Sequence, residues 1–107
     1  MYVNQKIEGR DACQVTPADP SQTWDECARE IGVRLQRARH AKGMSQEAVA
    51  HAAGIAGQTY YKYEKGESKP GTPLNPRLRT LIAVAQVLDV ELKALIPDDL
   101  PDLTAGR

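Results

Sequence analysis

Apolar residues along the middle of the chain recur at helical spacing. Trp24, Cys27, Ala28, Ile31, Leu35 and Ala38 stand at offsets 0, 3, 4, 7, 11 and 14, one stripe of period 3.6. Thr23 with Glu26 three positions later is a capping-box pattern that opens this helix, and Gly43 supplies its stop. Ser45 is the next N-cap, followed by Glu47 in a first turn where the helix dipole favours an anion. The alanine-rich segment behind it turns Val49, Ala50 and Ala53 inward and is interrupted by Gly54. A third helix is expected over 57–65, stopped by Gly66, with Tyr60 and Tyr63 inward at i, i+3. Residues 67–75 contain Pro70, Gly71 and Pro73 and read as a loop. Asn75 and Pro76 then form a cap and a first-turn proline for a fourth helix, whose expected apolar stripe is Leu78, Leu81, Ile82, Ala85 and Leu88. A last short helix over 91–96 turns Leu92, Leu95 and Ile96 inward and ends at Pro97.

The flanks lack this period. Residues 1–22, with Pro17 and Pro20, read as a flexible N-terminal arm in which Tyr2, Val3 and Ile7 form a short extended piece at most. Residues 98–107 read as an acidic, frayed tail. Five helices over 23–97, short connections and no strand pair predict an all-α fold.

Length and composition agree with one domain. The 107 residues are 41% hydrophobic and 26% charged, a globular balance. No stretch approaches the ~20 consecutive apolar residues of a membrane span, and residues 1–9 lack the apolar core of a secretory signal. A soluble, cytoplasmic protein is expected. Cys13 and Cys27 make no disulfide framework, and Cys27 falls on the first apolar stripe, where it fills core. These two with His40 and His51 show no metal-ligand spacing. A phosphate-cradling glycine loop and a nucleophile–base arrangement are absent as well. The sequence therefore predicts no metal, no cofactor, no small-molecule ligand and no enzyme activity.

Net charge is zero, but its distribution is not even. Residues 29–79 carry ten bases against four acids, while 1–28 and 80–107 each carry two bases against five acids. A basic centre between acidic ends is what a polyanion would feel, although a solvated helix face would look the same.

The segment from Met44 to Gly66 changes that balance. It reads as a short helix, a tight turn and a second short helix. Where the first helix must face the second, Ala50 is small; Gly54 frees the turn; Ile55 plugs the gap; Tyr60 and Tyr63 turn inward. Residues 29–96 resemble the Cro and phage-repressor-like helix-turn-helix family, also called the xenobiotic-response-element family. The matching residues are Ile31, Gly32, Arg34, Leu35, Ala38, Arg39, Lys42 to Glu47, Gly54, Ile55, Tyr63, Glu64, Gly66, Leu81, Ile82, Ala85 and Leu88.

The resemblance implies a five-helix, repressor-like DNA-binding domain that regulates transcription as a homodimer on double-stranded DNA. It implies base-reading positions at Gly57, Gln58, Tyr61 and Lys62 on the recognition helix. Tyr61 has an alternative place as a half-buried ring beside Tyr60. Gln46 matches the glutamine that bonds a phosphate and braces the recognition helix; its alternative is an ordinary exposed helix residue. Lys65, Lys69, Arg77 and Arg79 match backbone-contacting positions, or else are plain surface charge. Arg39 and Glu64 match a structural ion pair between the first and third helices. For the dimer, residues 92–103 hold more apolar side chains than one short helix buries, with Tyr2, Val3 and Ile7 as a second candidate.

This chain departs from the family at four places. Ala56 stands where a serine or threonine often caps the recognition helix, Gly57 lacks a base-reading side chain, the loop 67–75 is long, either an extra phosphate arm or slack, and Asp89 replaces a helix-ending glycine. Net neutrality and the missing side chain at Gly57 leave a second class of function open: a protein-interaction module, or an antitoxin-type partner, built on the same fold.

Overall fold

The computed structural model describes residues 18–19 and 22–104. In chain order these form β1 (Ala18–Asp19), α1 (Trp24–Lys42), α2 (Gln46–Ala53), α3 (Gly57–Lys65), β2 (Glu67–Lys69), β3 (Thr72–Pro73), α4 (Leu78–Leu88), α5 (Leu92–Leu95) and β4 (Leu100–Pro101). The five expected helices are present and the fold is helical, with two small strand pairs added to it.

Local signals set the helix ends. Thr23 and Glu26 close a reciprocal capping box: the Thr23 hydroxyl accepts from the Glu26 N–H, and the Glu26 carboxylate accepts from the Thr23 N–H, both at 3.1 Å. The Ser45 hydroxyl accepts from the Ala48 N–H at 3.0 Å. Gly43, Gly54 and Gly66 end α1, α2 and α3 in the left-handed conformation, and Asp89 does the same for α4 at φ 61°.

The core is one cluster. Cys27, Ala28, Ile31 and Leu35 from α1 meet Val49 and Ala50 from α2, Tyr60 and Tyr63 from α3, and Leu81, Val84, Ala85 and Leu88 from α4; Leu95 of α5 closes it. Burial pushes the Cys27 thiol up from its ordinary value, which keeps it a neutral, unreactive core group. Gly32 lets α1 and α3 touch backbone to backbone: a Cβ there would collide with the Glu64 carbonyl.

Four expectations are corrected. First, the long loop is a hairpin: β2 and β3 pair antiparallel around Gly71, Leu74 is buried, and its N–H bonds the Gly66 carbonyl at 2.9 Å. Second, α4 starts at Leu78 rather than at Asn75–Pro76, with Arg77 as its N-cap. The chain runs extended through that stretch because Leu74 must fill core while its carbonyl accepts from the Trp24 indole N–H at 3.0 Å. Third, Leu78 and Ile82 lie outside the α4 core stripe; they are 63% and 37% exposed, and Val84 takes the inward place. Fourth, the tail is tied down at its start. Leu100–Pro101 pairs in parallel with Ala18–Asp19, Pro97 and Pro101 are buried, and the Gln22 amide donates to the Asp99 carbonyl at 3.1 Å.

The segment expected to form a dimer surface thus spends most of its apolar side chains internally. Leu95 is buried, Leu92, Ile96 and Leu100 pack against the core, and Leu103 stays 62% exposed. Tyr2, Val3, Ile7 and Cys13 lie outside the described residues. Among the described residues no helix is long and apolar enough to cross a membrane, and no group of His, Cys, Asp or Glu is placed to hold a metal ion.

Candidate nucleic-acid interface

The turn between α2 and α3 is built as its residues dictate. Ala50 is buried, so α3 can approach α2 closely. Gly54 takes φ 72°, and the Ile55 N–H reaches back to the Ala50 carbonyl at 3.0 Å, closing the end of α2. Ile55 packs half-buried against the core. Helix α3 then begins at Gly57 behind Ala56, whose extended backbone is that of an N-cap but whose side chain caps nothing.

The two faces of α3 differ sharply. Tyr60 and Tyr63 are buried, whereas Gly57, Gln58, Tyr61, Lys62 and Lys65 are exposed. Tyr61 is 48% exposed, which places its ring outward and not beside Tyr60 in the core. The Lys65 ammonium lies 5.6 Å from the Tyr61 ring centroid, a cation–π contact on that outer face.

A buried polar cluster fixes the helix behind this face. Arg39 grips Glu64 through two hydrogen bonds, Nε to Oε2 at 2.6 Å and a terminal nitrogen to Oε1 at 3.2 Å. The Glu64 side chain is only 1% exposed and that of Arg39 13%. Arg39 also donates to the Met44 carbonyl at 3.0 Å, and the Gln46 amide donates to Glu64 Oε1 at 2.8 Å. One carboxylate on α3 therefore ties together the end of α1 and the first residue of α2. Burial alone would push the Glu64 carboxyl up; hydrogen bonds from Arg39 and Gln46, with the Tyr60 hydroxyl nearby, outweigh it and hold the group below the usual carboxylate range. Among the described residues the buried Tyr60 hydroxyl meets no partner at full hydrogen-bond geometry, and burial, with Glu64 close by, pushes its pKa up.

The remaining candidates flank α3. Lys69, Arg77 and Arg79 are exposed, and the Arg77 backbone N–H donates to the Tyr63 hydroxyl at 3.2 Å, tying the start of α4 to α3. Gln46 stands apart from the exposed set: it is half-buried, with its amide engaged by Glu64. The sequence reading did not foresee Ser68 and Pro70, which stand beside α3 on the hairpin. The signal for them was the Pro70-Gly71 pair, a turn dipeptide next to a β-branched Thr72. Nor did it assign Arg34, which pairs with Glu30 at 3.1 Å and donates to the Ala94 and Ile96 carbonyls, holding the end of α5.

Two short helices joined by a tight turn, the second locked from behind and polar in front, define a helix-turn-helix domain. The sequence model of the helix-turn-helix domain family matches residues 30–95, and the chain belongs to that family. It is 37% identical over 66 residues to the SPbeta prophage-derived uncharacterized HTH-type transcriptional regulator YonR of Bacillus subtilis (strain 168). That match covers 62% of this chain and 56% of YonR, so the chain spans little more than half of that relative's length. The restriction-modification controller protein C.AhdI from Aeromonas hydrophila has a similar fold, with TM-score 0.57 and 30% identity over 64% of this chain and 96% of its own. SinR, the master regulator for biofilm formation solved in complex with DNA, aligns with TM-score 0.53 and 32% identity over 61% of this chain and 95% of its own.

Proposed function

We propose that this protein is a sequence-specific double-stranded DNA-binding regulator of transcription, of the repressor type, that inserts α3 into the major groove. The observation that carries the reading is the outer face of α3, where Gln58, Tyr61 and Lys62 are exposed together on a helix held by the Arg39–Glu64–Gln46 cluster. Gln58 has the donor and acceptor to read adenine bidentately, and Lys62 reaches guanine or phosphate. Gly57 offers backbone alone. Gln46, Lys65, Lys69, Arg77 and Arg79 supply phosphate contacts that position the helix without reading sequence. The regulators YonR and C.AhdI and the DNA-bound SinR support the same reading.

The protein acts as a homodimer in the cytoplasm and is not an enzyme. A single recognition helix spans few base pairs, and two-fold pairing doubles the information read, on half-sites ~34 Å apart. The apolar side chains that the fold leaves exposed on α4, Leu78 and Ile82, together with Leu103, offer a second copy something to cover. The same residues are what an interaction module would use. Selection of bound sequences from a random duplex library decides between the two. Recovery of a two-fold symmetric site supports the regulator; failure to retain any duplex, with mobility of mixed-sequence DNA unshifted at low salt, rejects it.

A further inference from the structure

Among the described tyrosines, Tyr60 and Tyr63 fill core, while Tyr61 stands 48% exposed on the outer face of α3. Its ring is a broad apolar surface on a face otherwise made of Gln58, Lys62 and Lys65. We propose that Tyr61 reads the C5-methyl group of a pyrimidine in the major groove, in the space that the bare backbone of Gly57 leaves open. The chain would then select thymine at one position of its site, and at that position it would respond to C5-methylation of a cytosine. This rests on the reading of α3 as the DNA-reading helix and deepens it, because it supplies a base contact that Gly57 has no side chain to make.

Three observations carry it. The first is position. Gly57 and Tyr61 stand four residues apart and are neighbours on one side of the helix. Helical side chains lean toward the N-terminus, over the preceding turn. The Lys65 side chain follows that rule, with its ammonium 5.6 Å from the Tyr61 ring centroid, and Tyr61 in turn leans toward Gly57. The second is room and order. A Cβ built at Gly57 would meet nothing within 4 Å, so a base can approach the ring there. The cation–π contact with Lys65 holds the ring on the other side, so less rotamer freedom is lost when a base arrives. The third is chemistry. The base pairs present hydrogen-bonding groups in the major groove and one apolar group, the thymine C5-methyl. The body of a tyrosine ring has no donor or acceptor in its plane, so the methyl is the group its surface can distinguish. Tyr61 lies three residues beyond Gln58, a rise of ~4.5 Å against a base-pair step of ~3.4 Å. The methyl therefore belongs within one or two steps of the pair that Gln58 reads.

The test compares the full chain with its Tyr61→Ala, Tyr61→Phe and Gln58→Ala variants, each checked by a thermal melt to show that these exposed substitutions leave the fold intact. The probes are fluorescent duplexes: the library-selected site, a mixed sequence, a set in which deoxyuridine replaces one thymine at a time, and a pair with cytosine or 5-methylcytosine at the sensitive position. Gln58→Ala maps its own base pair by relaxed preference. Losing one buried methyl contact costs about fourfold in affinity per half-site. That loss is expected for deoxyuridine at one thymine within two steps of the Gln58 pair, in the wild type and in Tyr61→Phe alike. At the same position 5-methylcytosine should bind about fourfold more tightly per half-site than cytosine. Tyr61→Ala should bind the selected site more weakly and no longer tell thymine from deoxyuridine. Deoxyuridine sensitivity that persists in Tyr61→Ala, or that is absent at every thymine in the wild type, overturns the methyl contact while a Gln58→Ala loss keeps α3 as the reader. A Tyr61→Phe variant as weak as Tyr61→Ala on every duplex also overturns it, by making the hydroxyl the contact. A wild-type chain that binds selected and mixed sequences alike overturns the reading of α3 itself.

Discussion

At the residue scale the cluster around Glu64 governs both stability and site geometry. Arg39→Ala would strand a carboxylate that is 1% exposed, at a cost of ~3–5 kcal/mol, a large part of what a domain this size has. A thermal melt should fall before DNA affinity does; a variant that melts normally yet loses DNA would place Arg39 among the phosphate contacts. The sign of the pH dependence separates the two chains further. In the wild type the Glu64 carboxyl is held below its unfolded value of about 4.3, so its stabilisation is complete above that pH and is lost as pH falls toward and through the lower folded value. Without Arg39, burial dominates and the folded value rises above the unfolded one. The deficit of Arg39→Ala should then be largest near neutrality and shrink in acid, which melts from about pH 3 to 7 would read. A deficit constant with pH would show that Glu64 is not the stranded group. Gly32→Ala tests the same contact from the backbone side. The added methyl meets the Glu64 carbonyl, so α1 and α3 must part, and a loss of ~1–3 kcal/mol is expected, read from chemical denaturation.

Among the elements, α3 is the one whose local chemistry is incomplete. Ala56 has N-cap backbone angles, φ −69° and ψ 146°, but no oxygen to offer the first turn. Ala56→Ser should add the missing acceptor and raise stability by ~1 kcal/mol without moving the outer face; denaturant melts showing no gain would mean that the first turn is satisfied another way. This gap, the five helices, the turn at Gly54 and the inward tyrosines were all legible in the sequence, because each is written in residues adjacent along the chain. What was not legible depends on distant partners. Leu74 reads as a loop residue until α1 supplies Trp24 to hold its carbonyl, and only then do residues 67–73 become a hairpin. The α4 stripe of Leu78, Leu81, Ile82, Ala85 and Leu88 has acceptable helical spacing. The face chosen was instead the one through Val84, because α2 is what α4 packs against. The pairing of Leu100–Pro101 with Ala18–Asp19 joins segments some eighty residues apart, and two-residue strands carry no periodicity to announce them. On the candidate site, spacing told outward from inward on α3, but Gln46 shows the limit: its position on the first turn of α2 was readable, its bond to Glu64 was not.

For the whole molecule, Lys62, Lys65 and Lys69 come together where α3 meets the hairpin, with Glu67 as the one acid beside them, so a net charge of zero coexists with a locally cationic face. Binding through such a face must separate into two classes of contact. Base contacts specify and phosphate contacts position. Gln58→Ala should cost ~1–3 kcal/mol on the selected site, relax preference at one base pair, and leave the affinity for mixed-sequence DNA nearly unchanged. Arg77→Ala should instead weaken both sequences alike and reduce the salt slope by about one unit. Because a two-fold dimer presents each side chain twice, both effects should appear in both half-sites, and the Gln58 loss should double when both half-sites carry the preferred base. Titrations of the two variants on a symmetric duplex, on one with a single half-site altered and on a mixed sequence measure all of this together. Equal losses for Gln58→Ala on every duplex would show that α3 grips DNA by charge and shape without reading bases through Gln58. A loss that does not change when one half-site is altered would show that the chain binds as a single copy.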